Sequence, residues 1–210
     1  MAGTPEQEQA LIQSAVSGNL QAFNTLVLAY QDSVYTVAYR IMGETAAAAD
    51  AAQEAFIVAY RKLRTYQGGS FRGWLVRIVT NQCYDELRRR QRRPSVALSL
   101  LPDADSDDGP ALPDTASAAP EDTAQQRELQ QAIQDCINAL TPDQRVVLVL
   151  SDVEELDYQS IADSTGANLG TVKSRLSRAR AAMRDCLQGV RELLPSNFRL
   201  VRNETHDQQP

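Results

Sequence analysis

Two clusters of basic residues carry the chemistry that this sequence offers. The first holds Arg61, Lys62, Arg64, Arg72, Arg77 and the run Arg88-Arg89-Arg90-x-Arg92-Arg93, interleaved with Tyr66, Phe71, Trp74 and Tyr84. Bases spaced among aromatic rings suit unpaired nucleic acid, because the charges track phosphates while rings stack on exposed bases. Trp74 and Phe71 are read as core packing, and Tyr66, beside the Gly68-Gly69 break, as the ring placed to touch a base. The second cluster holds Lys173, Arg178, Arg180 and Arg184 with Ser174 and Ser177. Arginine, lysine and serine can bond base edges or phosphates, so this set suits duplex DNA. Chemistry of other kinds finds no support. The chain has one histidine, His206, and three cysteines about 50 residues apart with no CxxC. No catalytic residue, metal site, cofactor site or disulfide framework is expected, and an enzyme is improbable.

The elements that must position these residues are helical. Phe23, Leu26, Tyr30, Val34, Val37 and Ile41 recur at steps of three and four, which makes one apolar face. Gly43 suits a helix stop. A second helix is predicted from about Ala46 to Leu63, with Phe56, Ala59 and Leu63 inward, broken by Gly68-Gly69. Ser70 caps a third, basic helix to about Arg92, stopped before Pro94. Further on, a helix is predicted around Glu128–Leu140, and Thr141-Pro142-Asp143 starts another. Val146–Val153 is read as a buried helix rather than a strand. Asp157 caps a short helix with Ile161 and Ala162 inward, and Gly166 permits a left-handed turn. The last helix starts at about Leu169 and aligns Val172, Leu176, Ala179, Met183 and Leu187. Two helices around such a turn form a helix-turn-helix, whose second helix enters the major groove. The basic residues lie on that helix's other face, which sets it apart from a plain helical hairpin.

The chain has 210 residues and a net charge of −6, yet residues 61–93 carry ten bases against two acids and 171–193 six against two. Compact basic blocks in an acidic background are an electrostatic footprint of phosphate binding. Residues 94–121 hold five prolines, six acids and no base, the composition of a linker that cannot bury a core. The fold class expected is therefore all-α: two small helical domains joined by a flexible acidic linker. The divisions are 1–93, 94–124, 125–193 and a tail, 194–210. A flexible 28-residue segment spans roughly 30 Å, and roughly 95 Å fully extended. No run approaches the roughly 18 apolar residues of a membrane helix. The start, MAGTPEQEQ, lacks the features of a secretory signal, so a cytoplasmic location is expected.

One unit suited to duplex and one to melted strand suggest a promoter-opening factor. The motifs Gln53-Glu54-Ala55-Phe56, Ala59-Tyr60-Arg61, Ser70-Phe71-Arg72-x-Trp74-Leu75-x-Arg77-Ile78 and Asn81 resemble region 2 of bacterial sigma factors of the extracytoplasmic-function (ECF) group. Leu140-x-Pro142-x-Gln144-Arg145, Asp152-x-Glu154-x-Leu156-x-Tyr158, Ile161-Ala162 and Gly170–Arg180 resemble region 4. The resemblance covers about 20–93 and 130–187. It implies that Asp50, Gln53 and Glu54 bind the clamp helices of the polymerase beta-prime subunit. It also implies that Arg61, Lys62, Tyr66, Asn81 and Arg88 bind the −10 element. Region 4 would bind the beta flap and read the −35 element with Lys173, Ser174, Ser177, Arg178 and Arg180. The implied partners are core RNA polymerase, promoter DNA and an anti-sigma factor. Ala47-Ala48-Ala49 stands where relatives carry more acids, and Gly69 where an acid is usual. Two other readings remain beside this one: a stand-alone helix-turn-helix regulator, and an acidic interaction protein whose basic helices bind an acidic partner.

Overall fold

The computed structural model describes residues 4–92, 120–190 and 192, and all regular elements among them are helical. The first unit is built from four helices: α1 (Pro5–Val16), α2 (Leu20–Met42), α3 (Thr45–Lys62) and α4 (Phe71–Arg92). A single 3₁₀ turn, Leu63–Thr65, leads from α3 towards the Gly68-Gly69 break. The second unit holds α5 (Pro120–Asn138), α6 (Pro142–Leu148), α7 (Tyr158–Thr165) and α8 (Leu169–Gly189). Between α6 and α7 the chain makes a π-helical turn over Val149–Val153.

Local chemistry accounts for these boundaries. The predicted apolar face of α2 is buried at Phe23, Leu26, Val34, Val37 and Ile41, while Tyr30 is half-buried against it. α2 ends where Gly43 turns left-handed at φ +76°, its N–H donating to the Tyr39 carbonyl. Ser70 Oγ accepts from the Gly73 N–H at 3.0 Å and starts α4. Thr141 starts α6 in a capping box with Gln144, after which Pro142 takes the first helical turn. Two elements differ from expectation. α1 goes unpredicted, although Thr4-Pro5-x-Gln7 forms a capping box at its start. α5 begins at Pro120, eight residues before Glu128 and inside the stretch read as linker. The rest of that stretch, the arginine at 93 and the tail 194–210 lie outside the described residues.

The two units pack on each other, and their buried residues form one continuous cluster. Around that apolar cluster, helix ends and polar side chains add hydrogen bonds across the contact. Carbonyls in the last turn of a helix lack intrahelical donors and carry the negative end of its dipole. At the end of α2 those carbonyls meet donors from the second unit. Arg145 Nη1 donates to the Ile41 carbonyl at 2.8 Å, and Gln134 Nε2 lies 3.5 and 3.4 Å from the Tyr39 and Arg40 carbonyls. The Arg145 guanidinium also donates to the Asn138 and Leu140 carbonyls at 2.6 and 3.4 Å. That explains how an arginine only 9% exposed is tolerated. Arg40 Nη1 donates to Gln134 Oε1 at 3.2 Å, the Tyr84 hydroxyl donates to Asp143, and Arg72 pairs with Glu154 at 2.8 Å.

One sequence-level expectation is overturned. Cys136 of α5 and Cys186 of α8 are joined by a disulfide. Both lie on inward faces: Cys136 follows Ile133 by three residues, and Cys186 follows Met183 by three. Helical packing therefore closes a 50-residue separation. Cys83 is free and buried, and burial pushes its thiol up to about 12.

Candidate nucleic-acid interface

The helix-turn-helix is assembled as its residues predict. Asp157 caps α7, accepting from the Ser160 N–H at 2.9 Å and the Ser160 hydroxyl at 2.7 Å. These bonds to the charged carboxylate hold Asp157 below its usual range. Gly166 supplies the turn at φ +66°. Asn168, unremarked in the sequence reading, caps α8 by accepting from the Thr171 N–H at 2.8 Å. Ile161 and Ala162 of α7, and Val172, Leu176 and Ala179 of α8, are buried in the common core.

That burial turns the opposite face of α8 outward. Lys173, Ser174, Ser177, Arg178 and Arg180 are all exposed. The structure divides them further. Arg180 is held bidentately by Asp152, through Nε at 3.0 Å and Nη2 at 2.6 Å. The pair pushes the Arg180 pKa up and the Asp152 carboxyl down, each through the hydrogen bond to the other. Arg175 turns inward and pairs with Asp143. Lys173, Ser174, Ser177 and Arg178 thus form an exposed strip at the start of α8.

On the first unit, seven-residue spacing places Trp74, Asn81 and Arg88 along one strip of α4. Tyr66 sits at the strip's beginning, its ring centroid 5.4 Å from those of both Trp74 and Phe71. Its hydroxyl donates to the Gly69 carbonyl at 2.6 Å, and burial pushes its pKa up. Tyr66 is half-buried, so it presents part of a ring fixed by neighbours. Asn81 is exposed. Arg88 is exposed and lies 4.6 Å above the Tyr84 ring. Arg61 and Lys62 are exposed at the end of α3. Phe71 is buried, as expected of core packing, and Trp74 is half-buried.

Asp50, Gln53 and Glu54 form an exposed row on α3. The row continues into Ile57, which goes unmentioned in the sequence analysis, and Tyr60, named there only within a region 2 motif; they are 38% and 45% exposed. Their spacing, four and seven residues beyond Gln53, was the available signal. They give the acidic and polar row an apolar end.

These surfaces match those of known proteins. A family model described as Sigma-70 region 2 matches residues 26–93, and one described as Sigma-70, region 4 matches residues 130–183. The RNA polymerase sigma-H factor of Pseudomonas aeruginosa is 38% identical over 187 residues, covering 88% of this chain and 96% of that protein. The chain belongs to the sigma-70 family. Its relatives place it in the ECF group of sigma factors. The ECF sigma factor SigE of Mycolicibacterium smegmatis is 38% identical over 168 residues, 80% of this chain, which spans 62% of that longer protein. The ECF sigma-E factor of Escherichia coli K12 is 34% identical over 183 residues, covering 86% of this chain and 94% of that one. Among solved structures, the sigma factor RpoE of Bartonella quintana, co-crystallised with the anti-sigma factor NepR, shares the fold. Its TM-score is 0.59 at 23% identity, over 79% of this chain and 96% of that chain.

This sigma factor is accordingly a non-enzymatic transcription initiation factor, and the reading as a stand-alone regulator is not favoured. Its α7–α8 unit falls in region 4 and its α2–α4 unit in region 2. Among the described residues no helix is long and apolar enough to cross a membrane, and no cluster of residues suits a metal ion.

Proposed function

We propose that this ECF sigma factor binds core RNA polymerase in the cytoplasm, directs it to −35 and −10 promoter elements and helps open the DNA. The working units are 1–93, the linker 94–124, 125–193 and the tail 194–210. The observation that carries the reading of the −35 element is the exposed strip Lys173, Ser174, Ser177 and Arg178 on a helix whose other face is buried. Among the described residues Lys173 and Arg178 make no ion pair, and the four side chains stand where a major groove would meet the helix. Arg180, held by Asp152, serves better as a phosphate contact or as a support of α8 than as a base reader.

The −10 element is assigned to Arg61, Lys62, Tyr66, Asn81 and Arg88. Flipping a base from the stack costs a few kcal/mol, which stacking and a shaped pocket offset. Tyr66, backed by Phe71 and Trp74, supplies a ring already held in place. Asp50, Gln53 and Glu54, extended by Ile57 and Tyr60, form the surface for the beta-prime clamp helices. The flap of the beta subunit falls to region 4. An anti-sigma factor is the expected negative regulator, since the Bartonella quintana relative is solved with one.

The test combines the purified chain, bacterial core polymerase and the DNA upstream of the chain's own gene in an abortive-transcription assay with permanganate footprinting. Opening that requires both core and this chain supports the proposal and locates the −10 element. Duplex binding without core, and without opening, would overturn it.

A further inference from the structure

We infer that Cys136 and Cys186 form a reversible thiol–disulfide site, responsive to hydroperoxide, that fastens the closed arrangement of regions 2 and 4. The inference deepens the reading above, because it rests on the chain working beside polymerase in the cytoplasm. Disulfides in that compartment are kept reduced unless they are transient or redox-sensing. A pair packed within bonding reach there is therefore a reversible one rather than a permanent staple.

The placement of the two sulfurs tells what the bond controls. Cys136 lies on α5 between Gln134 and Asn138. Gln134 reaches the Tyr39 and Arg40 carbonyls at the end of α2. Asn138 stands against Gly43 and accepts from Gln134 Nε2 at 3.0 Å. Cys186 lies near the end of α8, the helix that carries Lys173 to Arg178. The bond thus ties the helix that grips region 2 to the helix that faces DNA. Oxidised, α5 is pinned to α8 and keeps its grip on α2. Reduced, α5 is held to α8 by packing alone, and region 4 separates from region 2 more readily.

Access is asymmetric. Cys136 is 2% exposed, whereas Cys186 is half-buried. The Cys186 thiolate meets the oxidant first. It attacks the O–O bond of a hydroperoxide, becomes a sulfenic acid and releases the alcohol, or water from hydrogen peroxide. The Cys136 sulfur then attacks Cys186 Sγ, the S–S bond forms and water leaves. Two thiols have lost two electrons to one peroxide. A cellular dithiol reverses the step by attacking Cys186 Sγ, and ends as a disulfide itself. Cys83 is buried and stands outside the exchange.

The test uses the whole chain, reduced with dithiothreitol, desalted and exposed to hydrogen peroxide. Alkylation under denaturing conditions and peptide mapping then report each cysteine. The expected result is one linked Cys136–Cys186 peptide pair with Cys83 alkylated, reversed by dithiothreitol without unfolding. Peroxide should also weaken binding to core polymerase by about threefold or more, since apparent affinity falls with the fraction of open chain. Cys186→Ser should remove both responses; because that site is half-buried, the variant keeps the region 4 core. Three free thiols after peroxide, or a bond that dithiothreitol leaves intact in the folded chain, would overturn the site. Equal core affinity of the oxidised and reduced forms would overturn its coupling to closure. If neither form bound core, the sigma reading would be what failed, and the peptide map would still decide the thiol site.

Discussion

Two glycines offer a controlled measurement of how firmly regions 2 and 4 are closed. Gly43 and Gly166 both end helices in the left-handed region, at φ +76° and +66°. Alanine at either position costs about 1–2 kcal/mol of backbone strain. Their surroundings differ. A Cβ at Gly166 meets nothing within 4 Å, whereas one at Gly43 falls 2.7 Å from Asn138 Cγ and 2.9 Å from its Nδ2. Asn138 belongs to region 4, and its side chain is held by Gln134. Gly43→Ala therefore adds an overpacking cost of about 1–3 kcal/mol that exists only while the regions touch. Opening relieves it. The closed-to-open ratio should fall by roughly 5- to 150-fold, while Gly166→Ala leaves it unchanged. Small-angle scattering of the free chain reads the outcome as an increased radius of gyration for Gly43→Ala alone. Denaturant unfolding of both variants checks that the backbone strain is matched. Equal radii for Gly43→Ala and wild type, or equal expansion of the two variants, would refute the argument.

Four further outcomes follow from single side chains. Arg178→Ala should weaken use of the −35 element by about 1–3 kcal/mol if Arg178 reads a base. Arg180→Ala should lower affinity without changing sequence preference, because Asp152 holds that guanidinium; electrophoretic binding of holoenzyme to −35 variants separates the two. Tyr66→Ala should impair opening more than closed-complex binding, while Tyr66→Phe, which loses only the bond to Gly69, should retain most opening; permanganate reactivity measures both. Glu154 is 4% exposed in its side chain, and burial raises its pKa more than Arg72 lowers it. On opening, it returns towards its ordinary value of 4.5. The closed chain therefore holds the proton more tightly. Closure should be strongest below pH 4.5 and weaken as pH rises through the raised value. Scattering across that window should show the trend, and Glu154→Gln should flatten it.

What the sequence disclosed was whatever is written locally. The steps of three and four in α2, the Asp157 cap and the Gly166 turn each lie within a few residues, so their geometry follows from neighbours alone. The Thr4-Pro5-x-Gln7 box that starts α1 is equally local. The exposed face of α8 was also legible, because its apolar partners fix which side points out. What depended on contacts far apart in sequence was not. Arg145 meets Ile41 across 104 positions and Gln134 meets Arg40 across 94. Nothing in either pattern names its partner. Cys136 and Cys186 each sat on a predicted or predictable inward face, yet only the crossing of α5 and α8 brings them together. Arg180 was readable as basic and exposed, but its commitment to Asp152 appears only when the turn after α6 is placed beside α8.

The hydrogen bonds and the ion pair that cross the contact between regions 2 and 4, beside its shared apolar core, bear on how closure can regulate rather than forbid. Among the bonds that cross it are Arg145–Ile41, Gln134 with the α2 carbonyls and with Arg40, Tyr84–Asp143 and Arg72–Glu154. Each exchanges water for a protein partner, a net gain of about 1 kcal/mol, except that burial of Glu154 offsets the gain from its pair with Arg72. Their sum, roughly 4–6 kcal/mol, must still offset the ordering of long side chains such as the 48%-exposed Arg72. A surplus of about 3 kcal/mol would reduce apparent core affinity by roughly 150-fold. A nanomolar complex is worth about 12 kcal/mol, so core polymerase could still open the chain. Closure of this kind sets a threshold that polymerase concentration, proton binding at Glu154 and the Cys136–Cys186 bond can each move, by amounts that add while the three sites stay independent.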